Sequence, residues 1–459
     1  MSYVLKKIHN FSRAERVAVG LVFFLLLNCV TLFAFQSIES KADEYLKAYV
    51  KMNRFSGSVL IAQNGEILLK KGYGMADLEH SVPNTPQTKF RIASLTKQFT
   101  AMAILQLQKK NLLNVNAPLS RYINDYPNGD KITIHHLLTH TSGIPNFTVA
   151  TDKEARVRPM TLEMIIQKLK DQPLNFSPGE KFEYSNAGYY LLGHIIEKVT
   201  GSGYASVIKE NIFEPLGMAN SGYDYNHIIL KNRAYGYRLE KGDLINAEYI
   251  HMANVHASGG LYSTVEDLYL WDRALYTERL IKRSSLEQMF TPFTKNYGYG
   301  WGIVTLFKRK MTGHNGDMEG FQTNITRFAE DDVCIIVLSN FGHTPIGKMS
   351  VDLAAILFGE EYQIPQRRQV EKIDPEIYDD YVGRYEINPN FSFIISREGG
   401  RLFCQPTGQN KLELFPESET KFFLKEVDAQ ITFVKDETNK VVKLLLCQSG
   451  REISASKIE

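Results

Sequence analysis

Cysteine is scarce: four residues in a chain of 459. That excludes a small disulfide-built scaffold, which needs many crosslinks in a short chain. A dominant charge is missing too. The 53 basic and 51 acidic residues leave a net charge of +2. The first 35 residues carry +3 (Lys6, Lys7, Arg13 and Arg16 against Glu15), so the remainder stands at −1. A near-neutral body has no electrostatic footprint for nucleic acid. Internal repeats and low-complexity segments are absent. A hydrophobic content of 44% against 23% charged residues excludes a disordered chain. The length calls for two or three domains with ample core.

One long apolar run is present. Residues 17–35, VAVGLVFFLLLNCVTLFAF, contain no charge and follow a basic stretch. A cleaved signal has a shorter apolar stretch and small residues at the cut. Here the run is just long enough to span a bilayer, and the region around Ala34–Ser37 is a poor cleavage site. The balance favours an uncleaved anchor over a cleaved signal. Either way the basic residues stay cytoplasmic and the body is exported, to the cell envelope, periplasm or exterior. Asn28 before Cys29 is too large for a lipidation site.

Beyond the run, Asn64-Gly65 between two alternating segments (58–72) predicts a hairpin. Helical periodicity governs SLTKQFTAMAILQLQKK from Ser94, read as amphipathic, and NAGYYLLGHIIEKVT from Asn186. Strand patterns return near 300–340 (GWGIVTL, KMTGHNG, QTNITRFA, VCIIVLSN), and a helix, GKMSVDLAAILFG, follows. Strands at both ends with helices between predict an α+β fold: an antiparallel sheet flanked by helices with an inserted helical region. From about 370 the texture changes to eight short alternating segments, which predict a C-terminal antiparallel β-barrel. The expected domains are 1–40 (basic segment and signal or anchor helix), 41–363 and 370–459. The polar stretch IPQRRQVEKIDPE separates the last two.

Three short motifs carry chemistry. Ser94 begins a helix and Lys97 lies one turn along on the same face. A desolvated lysine there can lose its proton and activate the serine hydroxyl. The bland alternative is a serine N-cap and a surface lysine. Tyr184-Ser185-Asn186 runs from a loop into a helix. Its phenol can act as acid or base if nearby cations lower its pKa from about 10, and Asn186 can hold a substrate amide or the lysine. Plain capping and packing is the alternative. His314-Asn315-Gly316 closes a strand, where glycine permits close approach and histidine can bind a carboxylate or share a proton.

In this order and on these elements, the motifs resemble those of the penicillin-recognising serine hydrolases, in the class C β-lactamase-like and D-alanyl-D-alanine carboxypeptidase-like branch. FRIASLTKQFTA, LLTHTSGIP, FSPGEKFEYSNAGYYLLG, SGGLYSTVEDLYLWDRAL and YGYGWG fit as well, over roughly residues 45–360. The barrel resembles the lipocalin-like module often appended in this branch. The resemblance implies a β-lactamase/transpeptidase-like fold. It implies Ser94 as acyl-accepting nucleophile, Lys97 as its base and Tyr184 as proton shuttle. Asn186, His314, Gly316 and Asp317 would be substrate-binding or oxyanion residues, with the amides of Ser94 and Asp317 as the oxyanion hole. It implies no cofactor and no metal. The expected substrate is a small peptide, amide or ester, with peptidoglycan a candidate partner. His314 stands where β-lactamases commonly have lysine, and Asp317 where a hydroxyl residue is usual. That shifts the expectation from true β-lactamase toward carboxypeptidase, peptidase or esterase. The rival class is a penicillin-binding sensor or scaffold with negligible turnover.

Other residues have duller readings. His135, His136 and His140 lack a zinc pattern and read as structural. Asp331/Asp332 and Glu360/Glu361 read as a solvated hairpin tip and helix end. Tyr297, Tyr299 and Trp301 read as cleft wall or packing. Cys334 reads as a buried strand thiol. Cys404 and Cys447 read as two core thiols or a pair, and the barrel as a cap on the cleft or a partner-binding module.

Overall fold

The computed structural model describes residues 37–147, 156–240, 242–366, 368–425, 429–448 and 451–458. The apolar run 17–35, with its anchor-or-signal reading, and Cys29 lie outside the described residues. Among the described residues no helix is long and apolar enough to cross a membrane.

Helix α1 (Ile38–Lys51) opens the described chain, capped by Ser37, whose hydroxyl accepts the Ser40 N–H at 3.1 Å. Strands β1 (Gly57–Gln63) and β2 (Glu66–Tyr73) form the expected hairpin. Asn64 and Gly65 both take positive φ, 53° and 76°, as a type I′ turn demands. The helical region supplies α2 (Thr96–Lys109), α3 (Asn186–Thr200) and α4 (Val265–Ala274). Four strands follow: β3 (Gly302–Leu306), β4 (Arg309–Met318), β5 (Phe321–Phe328) and β6 (Val333–Ser339). Helix α5 (Ile346–Phe358) comes next.

The sheet runs β3-β4-β5-β6-β1-β2, antiparallel throughout. The two ends of the segment therefore meet at its centre, with Gly57 opposite Ser339. Period-two alternation divides the central strands between two cores. Val59, Ile61, Val333, Ile335 and Val337 pack with α1 and α5. Leu60, Ala62, Cys334, Ile336 and Leu338 pack with the helical region. Both faces are covered, so VCIIVL reads as a continuous apolar run. Each of these valine, leucine and isoleucine side chains contributes on the order of 1.5–3 kcal/mol on burial.

Helix α2 corrects one expectation. It is not amphipathic in place, because every residue from Thr96 to Leu107 is buried. It passes through the middle of the body, where Phe99 meets Trp271 at 4.6 Å and Phe213 at 5.4 Å between ring centroids.

The C-terminal strands close into an eight-stranded barrel, from Gly383–Asn388 to Arg451–Lys457. Each pairs with the next, and the last returns to the first, with Tyr385 opposite Lys457. Tyr381, Tyr385, Phe422 and Phe433 fill its core, Tyr381 stacking on Phe433 at 4.2 Å. Cys404 and Cys447 are both free: Cys404 is buried, whereas Cys447 is exposed. Neither alternative read from the sequence, a pair or two core thiols, holds, because the strand pattern turns Cys447 outward.

Candidate active site

Ser94 does not cap a helix. It sits in a 3₁₀ turn, Ala93–Leu95, ahead of α2, with Ala93 held at a positive φ of 47°. That turn leaves the hydroxyl free to face Lys97. Lys97 is fully buried, so the surface-lysine alternative fails. Its Nζ lies 2.9 Å from Ser94 Oγ, 2.8 Å from Asn186 Oδ1 and 2.8 Å from the Ser258 carbonyl. Burial pushes the ammonium well below its ordinary pKa. All three partners can accept from Nζ; in the neutral amine that burial favours, two N–H groups donate to Asn186 and the Ser258 carbonyl, and the lone pair is left to face Ser94 Oγ.

Tyr184 comes from the loop before α3 and shares a hydrogen bond with Ser94. Its ring centroid is 5.0 Å from Lys97 Nζ. The expectation of a phenol lowered by nearby cations is overturned. Burial raises its pKa, with the Ser94 hydrogen bond opposing. Burial also disfavours the charge on the nearest amine, Lys97, which would otherwise lower it. Tyr184 therefore holds its proton and is not a phenolate.

Gly316, on β4, has a clear steric reason. A Cβ there would collide with the Ile92 carbonyl oxygen and the Thr323 hydroxyl, and would lie 3.1 Å from Ala93 Cβ. Glycine lets β4 press against the residues that carry Ser94. Thr323 donates to the Ile92 carbonyl at 3.0 Å, fixing the same junction. Strand β3 pairs only with Arg309–Gly313 of β4, so residues 314–318 present an edge that β3 does not cover. Asp317 is exposed there, and partial desolvation raises its carboxyl pKa.

His314 has both ring nitrogens engaged. Nδ1 donates to the Asn315 carbonyl at 2.5 Å, so Nε2 is the acceptor for the Tyr297 hydroxyl at 2.9 Å. Burial lowers it to about 4. It is neutral and has no N–H to spare.

His140 lies at the site, although the sequence reading left it structural. Its ring packs on Tyr184 at 4.3 Å. Its Nδ1 accepts the Ser185 N–H at 3.1 Å, which places the proton on Nε2, and that atom is buried without a hydrogen-bond partner. Tyr297 is a cleft residue, 4.8 Å from His140. Tyr299 instead bonds His135 Nδ1 at 2.8 Å, and Trp301 is buried in the core. His136 supports the Thr133 cap. Among the described residues no cluster of His, Cys, Asp or Glu is arranged to hold a metal ion. Asp331 and Asp332 are engaged by Arg309 and Arg273 at 3.0 and 2.6 Å, so they are ion-paired and not simply solvated. Glu360 and Glu361 are exposed. Sequence reasoning also missed Ser258, whose contribution is a backbone carbonyl. Both it and His140 stand inside stretches that carried the resemblance, SGGLY and LLTHTSGIP.

A buried amine aimed at a serine hydroxyl, beside a phenol and an uncovered strand edge, is the constellation of a serine hydrolase of the penicillin-recognising type. Comparison with known proteins agrees. Residues 42–356 match the β-lactamase family, and the chain belongs to it. Residues 367–456 match a domain of unknown function. Penicillin-binding protein 4* of Bacillus subtilis is 32% identical over 431 residues, covering 88% of this chain and 95% of that protein. The octameric penicillin-binding protein homologue from Pyrococcus abyssi is 29% identical with a TM-score of 0.66, covering 91% and 99% of the two chains. D-amino acid amidase from Ochrobactrum anthropi SV3, at 23% identity and a TM-score of 0.64 over 70% of this chain and 99% of that one, shares the fold.

Proposed function

We propose that the chain is an exported serine hydrolase that forms an acyl-enzyme at Ser94 and acts on amides, esters or peptides whose end beyond the scissile bond is uncharged. The carrying observation is the Lys97 amine, buried, 2.9 Å from Ser94 Oγ and holding its two other contacts on acceptors.

In the proposed path Ser94 Oγ attacks the substrate carbonyl as its proton passes to Lys97. The amides of Ser94 and Asp317 hold the oxyanion, a pairing supported by the contact of Gly316 with Ile92 and Ala93. Tyr184 gives its proton to the leaving nitrogen or oxygen and recovers one from Lys97. A water then attacks the acyl carbon as Lys97 takes its proton, and Lys97 returns that proton to Ser94 Oγ as the acyl C–O bond breaks and the acid leaves.

The substrate's charge follows from the same side chains. Burial disfavours the charged form of Lys97 and holds His314 at about 4, and His314 has no free N–H. Asp317 stands at the rim. Neither Lys97 nor His314 therefore offers a free carboxylate a cation, which supports amidase, peptidase or esterase chemistry over true β-lactamase action. Fragments of peptidoglycan with amidated ends are a candidate natural class, in keeping with export by residues 17–35.

The test is a panel of D-Ala-D-Ala peptide as free acid, amide and methyl ester, with short-chain esters and penicillins, on the parent and Ser94→Ala. The amide and ester should be hydrolysed faster than the free acid, and Ser94→Ala should hydrolyse none. Parent-rate hydrolysis by Ser94→Ala refutes the acyl-enzyme. A preference for the free acid refutes the charge argument.

A further inference from the structure

The helical region also holds a cavity of about 310 Å³ whose lining includes none of Ser94, Lys97, Tyr184, Asn186 or His314. Its walls are aromatic. Tyr223 packs on Tyr225 at 4.7 Å, Tyr225 on His227 at 5.4 Å, and Tyr204 on His256 at 5.0 Å. Glu197, near the end of α3, also lines it. One of its oxygens accepts the Tyr204 N–H at 2.8 Å. Among the described residues the ionisable nitrogen found within 4 Å of the carboxylate is His256 Nε2, at 3.9 Å, which makes no hydrogen bond. Burial holds His256 at about 4, so it brings no positive charge.

The other carboxylate in the wall, Asp224, is already paired with Arg91 and Arg233. No lysine or arginine is among the described residues of the lining. Glu197 is thus a carboxylate partly withdrawn from water and short of a cation, and burial raises its pKa. The pocket is also fitted around His256. A Cβ on Gly193 would fall 2.8–2.9 Å from that imidazole, so glycine there makes room for the ring.

We propose that this cavity is a second binding site, separate from Ser94, for a small organic cation with an alkylammonium head. Ring faces carry negative potential and attract such cations, and a nearby carboxylate supplies the full counter-charge. A neutral ligand would leave Glu197 unmatched, and an anion would be repelled by it.

The test is calorimetric titration of the full chain with tetramethylammonium chloride at constant ionic strength, against tert-butanol as an uncharged molecule of similar shape. The parent and Ser94→Ala should bind the cation saturably and equally. Glu197→Gln and Tyr225→Ala should each weaken binding about tenfold, the size of a lost ion contact or ring face of roughly 1.4 kcal/mol. Tyr225 is exposed, so its variant keeps the test informative if Glu197→Gln melts early. Absence of saturable binding by the parent, unchanged binding in both variants, or equal binding of tert-butanol would overturn the proposal.

Discussion

Lys97→Met is the perturbation that bears most directly on the chemistry. Inside the folded chain, burial strips the Lys97 proton well below its ordinary pKa of 10.5. The unfolded chain keeps that proton up to about 10.4. Unfolding therefore takes up one proton at any pH between the folded and unfolded values. Across that window, lowering the pH favours the unfolded chain and raising it favours the folded one. The slope is about 1.4 kcal/mol per pH unit for one proton. Methionine has nothing to titrate, and the orphaned acceptors on Asn186 and Ser258 cost the same at every pH. The difference in unfolding free energy, parent minus variant, should thus climb with pH, by up to about 1.4 kcal/mol per unit, as the pH approaches the unfolded value of about 10.4, because every other titrating group cancels. Denaturant unfolding of both proteins at five pH values, with linear extrapolation, reads it out. A difference that stays flat would mean that Lys97 folds as an ammonium, and the general-base reading would fall with it. Hydrolysis should show the matching profile: full rate where the amine is neutral, declining in acid as Lys97 regains its proton.

Three further outcomes are expected. Gly316→Ala forces β4 back from Ile92 by an amount on the order of 1 Å, and initial rates should show kcat/KM falling about a hundredfold with the fold retained by circular dichroism. His314→Lys restores a cation at the uncovered edge, so the ratio of kcat/KM for a free-acid peptide over its amide should rise about tenfold, a modest charge-assisted hydrogen bond. Asp272→Asn leaves the buried Arg327 guanidinium without its anion, and denaturant unfolding should show a loss of about 3–5 kcal/mol.

Much of this was legible in the chain because it rests on local rules. Asn64-Gly65 fixes a hairpin by its own dihedrals. The first six of the seven buried residues of β6 form an unbroken apolar run. Eight alternating segments separated by turns predicted the barrel strand for strand. What escaped depends on partners distant in sequence. Ser94 and Lys97 stand three residues apart, but only the packing around α2 says whether the lysine faces water or core. The periodicity of α2 gave an amphipathic helix because its polar residues find partners inside: Gln98 accepts the Trp271 indole N–H, and Thr100 donates to the Ala257 carbonyl. The carbonyl of Ser258 is invisible to any reading of side chains. His140 acquires its place from a loop that crosses under Tyr184.

The charge of the site ties its reactivity to its selectivity. In the proposed path desolvation suits Lys97 to act as a base by disfavouring its charged form, and the same effect weakens the positive charge that would hold a substrate carboxylate. A permanent cation on β4 could separate the two tasks, leaving the amine to the serine and the cation to the substrate. Here His314 declines that task, one nitrogen spent on the Asn315 carbonyl and the other on Tyr297. Tyr184 is constrained in turn, since burial raises the phenol and it starts the cycle protonated. In the proposed path the proton that leaves Ser94 then rests on Lys97, and the one that reaches the leaving group comes from Tyr184. Burial, which disfavours both the ammonium and the phenolate, gives that path its direction.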